Sequence, residues 1–132
     1  MAVTSVSHVW TQVIKPSGLP QFPADVPITI TAPEAVDVEQ LILGGATATL
    51  FVGSIDNTKI VSCAFHSSAA NVFFHTPSQS LNLSTAKALG WNNQMPATAT
   101  NPITAPMTSV VVDNSANPTT GTTFRMSVLV QP

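Results

Sequence analysis

The sequence has no tyrosine, a single cysteine and very little charge. Each shortage excludes something. Asp, Glu, Lys and Arg together make up 8% of the 132 residues, where about 25% is usual. A freely diffusing monomer normally shows many mixed charges to water, so this surface is expected to be shared with neighbours. The four basic residues, Lys15, Lys59, Lys87 and Arg125, are scattered along the chain. Proteins that bind nucleic acid neutralise phosphates with clustered Lys and Arg, and no such cluster exists, so no nucleic-acid partner is expected. The same poverty speaks against attachment to anionic lipid. The six acids, Asp25, Glu34, Asp37, Glu39, Asp56 and Asp113, are equally dispersed, with only 34–39 mildly acidic.

One cysteine rules out an intramolecular disulfide. Cys63 sits inside an apolar alternation with no cationic neighbour to activate it, and reads as a small buried hydrophobe. No basic segment followed by an apolar stretch opens the chain, so no secretory leader is expected. The most apolar run, Leu41 to Val52, is too short to span a bilayer. These absences describe a soluble protein made in a reducing cytoplasm, with no membrane partner.

Catalytic signatures are missing as well. There is no G-x-S-x-G elbow, no G-x-G-x-x-G and no P-loop. His66 and His75 end neighbouring candidate strands, but neither has an acid beside it or a metal-ligand spacing. Asp37 and Glu39 would share one face of a strand, and read as a solvated edge that discourages aggregation rather than as a glycosidase pair. The expectation is a protein that is not an enzyme and needs no cofactor or metal.

What is present is period-two alternation, the mark of half-buried strands. Phe124, Met126, Val128 and Val130 share one face, opposite Thr123, Arg125 and Ser127. Ala48, Leu50 and Val52 alternate with Thr47, Thr49 and Phe51. Val61, Cys63 and Phe65 stand opposite Ser62 and His66. Ile28 and Ile30 alternate with Thr29 and Thr31. Asn71 to His75 and Thr108 to Asp113 are short β-branched or aromatic runs. A weaker alternation over 3–14 places Val6, His8 and Trp10 on one side.

Pro and Gly break the chain at short intervals, which excludes long helices. Only Ser84 to Leu89 suits a helical turn, stopped by Gly90. The fold predicted is all-β: one domain over 1–132, an antiparallel sandwich or jelly-roll-like barrel. Residues 1–27 form an extended N-terminal arm, with a Pro-rich connection over 15–27 that holds four prolines in thirteen positions.

Residues 90–107 read as a long loop without charge, and such loops tend to carry contacts. Trp91 opens it, with Met95, Ile103 and Met107 following. Tryptophan is enriched at interface hot spots, so Trp91, Met95, Ile103, Met107 and the more distant Trp10 are the candidate interface residues. For both tryptophans a packing role inside the domain stays open, more so for Trp10.

One stretch runs Ile55-Asp-Asn-Thr-Lys-Ile-Val-Ser-Cys-Ala-Phe-His-Ser-Ser-Ala-Ala-Asn-Val-Phe-Phe-His-Thr-Pro-Ser-Gln-Ser-Leu-Asn-Leu83. It continues through Leu89-Gly-Trp91 and Ser109-Val-Val-Val-Asp-Asn114 to Phe124-Arg-Met-Ser-Val-Leu-Val130. In order and pattern this resembles a group of small β-sandwich virion proteins of tailed bacteriophages, some of which decorate or cement the capsid. The likeness covers roughly residues 55–130. It implies a non-enzymatic protein on the outer surface of a virion, partnered by the major capsid protein or another virion protein, and a homo-oligomer, specifically a trimer. Two alternatives remain open. One is a tail, baseplate or fibre component; the other is a carbohydrate-binding sandwich using Trp91 with Asn92, Asn93 and Gln94.

Overall fold

Strands of this length bury one face only if a second sheet covers it, and the alternation along the chain supplies two such faces. The computed structural model describes residues 6–10, 18, 28–76, 79–83 and 89–132. Ten strands follow in order: β1 Val6–Trp10, β2 Ile28–Ala32, β3 Glu34–Ile42, β4 Thr47–Ile55, β5 Ile60–Ser67, β6 Val72–Thr76, β7 Gln79–Leu83, β8 Leu89–Asn92, β9 Met107–Asp113 and β10 Thr122–Val130. A 3-10 turn at Asn57–Lys59 joins β4 to β5, with Asp56 accepting from the Thr58 amide at its start. Among the described residues there is no α-helix. The Pro-rich connection expected over 15–27 lies, Gly18 apart, outside the described residues. So does the helical turn expected from Ser84, up to Leu89, which instead opens a strand.

All pairings are antiparallel. One sheet has the order β3-β10-β5-β8, the other β4-β9-β6-β7, and β1 pairs with β2 alone. Numbered from β3 to β10, this is the eight-strand order of a jelly roll, in which two sheets are wound from two Greek keys. The chain is therefore a single jelly-roll domain with an extra N-terminal hairpin.

The core lies between the sheets. The first contributes Ile42, Ile60, Cys63, Phe65, Phe124, Met126, Val128 and Val130; the second contributes Val52, Ile55, Val72, Phe74, Leu83, Met107, Val110 and Val112. At its centre Phe74 reaches across to two rings of the opposite sheet. Its centroid is 5.0 Å from Phe65, tilted by 41°, and 5.7 Å from Phe124. All three rings are fully buried.

Two irregularities shift the pattern. Along β10 and β5, Leu129 faces Ser62 while Val130 faces Ile60, so β5 carries a bulge at Val61. The bulge turns Val61 to the outside of the sheet, where it packs with Leu129, Ile30 and Ala32. This corrects the expected facing of Val61 with Cys63 and Phe65; an extra residue on one strand inverts every facing beyond it. On β4, Phe51 faces Ser109 and Ile55 faces Met107. Gly53 lies in this widened stretch with φ 74°, a left-handed value that favours glycine.

One end of the sandwich is closed by side chains rather than by apolar packing. Asn114 is fully buried, and its amide donates to the carbonyls of Leu43 (3.2 Å) and Thr120 (2.8 Å). Its oxygen accepts from the Asn117 amide, which also donates to Ala70 O. Three turns are thereby tied together. Gly44 fits here because a Cβ would stand 2.9 Å from the Thr119–Thr120 backbone.

Two stability outcomes follow from this packing. Phe74→Ala removes the ring that both opposing rings touch, and should lower unfolding free energy by about 3–5 kcal/mol in denaturant titrations. Asn114→Ala removes the hydrogen bonds of a fully buried side chain to Leu43 O, Thr120 O and the Asn117 amide and should cost about 1–3 kcal/mol, with faster amide exchange in the 43–46 and 114–121 turns.

Candidate functional site

The residues singled out as an interface are mostly used inside the domain. Ile103 and Met107 are each 1% exposed and belong to the core, so neither offers a side chain to a partner. Trp91 lies on β8 rather than in a loop, because Leu89–Asn92 pairs with β5 and sets Trp91 opposite Cys63. Its ring packs at the margin of the core, and Nε1 donates to Ala99 O at 3.0 Å. Met95 is half-buried in the connection between β8 and β9. That connection, 93–106, is pinned at several points. Asn93 N donates to Val61 O, the Asn101 amide donates to Asn57 O, and Asn101 Oδ1 accepts from Ile103 N.

Cys63 is fully buried beneath this connection, and burial pushes its thiol up to about 12. The expectation of a small buried hydrophobe holds. A thiol reagent at neutral pH should leave Cys63 unmodified in the folded protein and label it at once in denaturant; prompt labelling of the folded chain would contradict this placement.

The histidines separate. His66 stands on β5 opposite Arg125, whereas His75 stands on β6 in the other sheet, stacked with Phe73 at 6.1 Å. Among the described residues, no three of His, Cys, Asp and Glu come together as a metal site would require. No described helix is long and apolar enough to cross a membrane.

Among the described residues, three charged side chains, Asp37, Glu39 and Arg125, share the outer face of the first sheet. The register of β3, β10 and β5 sets Asp37 beside Ser127 and Ala64, and Glu39 beside Arg125 and His66. These residues line an open groove of about 610 Å³. Arg125 Nε and Glu39 Oε2 are 3.6 Å apart, both largely exposed, a pairing worth about 0–1 kcal/mol. As expected, β3 is an edge strand with Asp37 and Glu39 on its outer face.

Beside the groove, the β1–β2 hairpin lies across β5 and β10. Trp10 Nε1 donates to Ser62 Oγ at 2.9 Å. His8 Nδ1 is 2.7 Å from the same Ser62 oxygen, and His8 Nε2 is 2.6 Å from Ser127 Oγ. Ser127 Oγ in turn donates to Asp37 Oδ1. Partial burial holds the pKa of His8 below its usual value, opposed by the carboxylate of Asp37. The alternation that set Val6, His8 and Trp10 on one side was the only trace of this arrangement in the sequence.

The outer face of the second sheet is different. Thr47, Thr49 and Phe51 of β4 lie beside Asp113, Val111 and Ser109 of β9, with Phe73 and His75 of β6 beyond. Asp113 is its one acid, held below the usual carboxylate range by hydrogen bonds from Ser115. Phe51 on this face is 85% exposed; Leu41 (60%) and Leu43 (68%) are exposed too, but at the end of β3 in the first sheet and in the turn after it. No family model, curated protein or solved structure matches the chain.

Proposed function

We propose that the protein is a non-enzymatic virion structural protein, made in the host cytoplasm and placed on the capsid surface, where it decorates and cements the shell as a trimer. The observation that carries this reading is Phe51, 85% exposed on the outer face of the second sheet beside Ser109, on a jelly roll with little charge. An exposed apolar patch rimmed by polar residues marks a surface that a partner covers, and Phe51 with Val111 is the apolar part of this face. Thr49, Ser109 and Val111 stand nearest Phe51 in the register, and such groups lose less hydration on burial than charges do. The jelly roll is used by viral capsid proteins and also by lectins, so the fold supports the reading by analogy only.

Cementing needs contact and no chemistry. A standard interface takes about 800 Å² from each partner. Anything that binds the assembled shell more tightly than its parts stabilises it by mass action. The major capsid protein is the partner this requires; a tail, baseplate or fibre protein would meet the same surface at far lower copy number. The carbohydrate-binding alternative loses its platform, since the Trp91 indole packs against the core and its N–H is bonded to Ala99 O.

Co-sedimentation with shells that lack the protein tests the proposal. Saturable binding, a higher disruption temperature, and loss of both in a folded Phe51→Asp variant are expected. No association at any ratio would overturn it. A second reading is favoured by the strand order itself: a jelly roll that builds a shell alone. Closed particles formed by the protein without shells, in the same sedimentation run, would select it.

A further inference from the structure

The hairpin is held to the first sheet by a small apolar contact and a longer polar one. Ile30 and Ala32 pack on Val61 and Leu129, with Val6, Trp10 and Ala35 at the margin. The Trp10 ring lies so close to Gly90 that a Cβ there would stand 2.6 Å from it. Across these strands runs the chain Trp10–Ser62–His8–Ser127–Asp37.

Counting hydrogens fixes its direction. An indole N–H only donates and a carboxylate only accepts. Ser127 gives its single hydrogen to Asp37, so it accepts from His8 Nε2–H. Ser62 accepts from Trp10, which leaves its own hydrogen for His8 Nδ1. The imidazole that completes the chain is neutral, with its hydrogen on Nε2. A second proton, on Nδ1, points at an oxygen whose hydrogen already points back. Ser62 is fully buried, so its displaced hydroxyl must find another acceptor without help from water.

The charged groups around His8 are few. Strand β3 brings Asp37, which reaches His8 through Ser127, and Glu39, which is paired with Arg125 of β10. Strand β5 brings His66 opposite Arg125, and Cys63, which faces the core. Lys59, just before β5, is bonded to Pro132 O. Strands β2 and β8 carry no ionisable side chain. Among the described residues, Asp37 is the acid that favours a charged His8, and burial outweighs it.

We propose that His8 is a proton-operated latch: neutral, it docks the N-terminal hairpin on the outer face of the first sheet, and protonated, it releases it. The released form binds the extra proton more readily than the docked form. Docking is therefore complete above the ordinary histidine value of 6.5 and weakens as the pH falls from there through the lower docked value. Each unit between the two values weakens it tenfold. Release uncovers Val61 and Leu129 beside the charged groove, adding an apolar strip to it. The latch does not depend on the capsid reading.

Trp10 is the only tryptophan left in a Trp91→Phe chain, which gives up one neutral hydrogen bond worth about 1 kcal/mol. Acrylamide quenching of Trp10 should rise as the pH is lowered from about 8 to about 5, while far-ultraviolet dichroism stays that of the folded sandwich. Adding His8→Gln should abolish that step, whereas His66→Gln or His75→Gln should keep it. A step that survives His8→Gln, or no step with His8 present, overturns the proposal. Carbon-13 titration of His8 in the unmodified chain gives a check free of variants. The ring should titrate below 6.5 when folded and near it in denaturant, and a folded value at or above 6.5 overturns the latch.

Discussion

The ring of Phe74 between Phe65 and Phe124 is the contact on which the two sheets depend. It is the point where β6 of one sheet meets β5 and β10 of the other, with centroids within 5.7 Å. With no tyrosine and no disulfide in the chain, the sheets have no other large side chains spanning them so centrally. The three rings fix the spacing of the layers, and the aliphatic residues on either side fill what that spacing leaves. The strand register then decides everything outside. Because Met126 and Phe65 are paired and inward, Arg125 and Ser127 on one strand and Ala64 and His66 on the other must point to the outer face. The charged groove and the seat for the hairpin are consequences of how the core is phased.

Polar groups complete the structure where rings cannot. At the turn-rich end, the buried Asn114 side chain ties three turns through the carbonyls of Leu43 and Thr120 and the amide of Asn117. On the outer face, Ser62 and Ser127 give the hairpin a directional fit that the small Ile30–Leu129 cluster lacks. Among the described residues, no buried side-chain nitrogen or oxygen is left without a partner. A low-charge protein satisfies its interior with Ser, Thr and Asn, and each hydroxyl has a single hydrogen to give. A hydrogen-bonded chain of such groups therefore has one fixed direction, and a second proton on the His8 ring would oppose it at Ser62.

How much of this was legible depended on how local the determinant was. The alternation of β10 and β4 is written residue by residue, so the strands, the all-β class and the inward faces of Phe124, Met126 and Val128 could be read directly. The facing of Val61 could not, because the bulge that turns it comes from pairing with Leu129 and Val130. Trp91 looked like the start of a loop because a four-residue strand has too little pattern to announce itself without β5. Ile103 and Met107 looked like contact residues because they stand in an uncharged stretch; only the folded chain places them under the sandwich's own core. The partners of His8 lie 54 and 119 residues away. The periodicity put His8 and Trp10 on one face but had no means of saying which surface that face would meet.

The two outer faces therefore stand in different positions toward a partner. The first is partly covered by the chain's own hairpin, through a fit specific enough to need Ser62, Ser127 and Gly90 in register. The second has Phe51 and Val111 among threonines and serines and, among the described residues, no segment laid over it. The hairpin of the same chain takes the seat on the first face ahead of one from another copy, because it is held beside it at high effective concentration. On the second face Phe51 stands open to water beside Ser109 and Val111. Low charge thus goes with two different surfaces in one small protein: one that the chain covers itself through hydrogen-bonded serines, and one on which, among the described residues, it lays nothing.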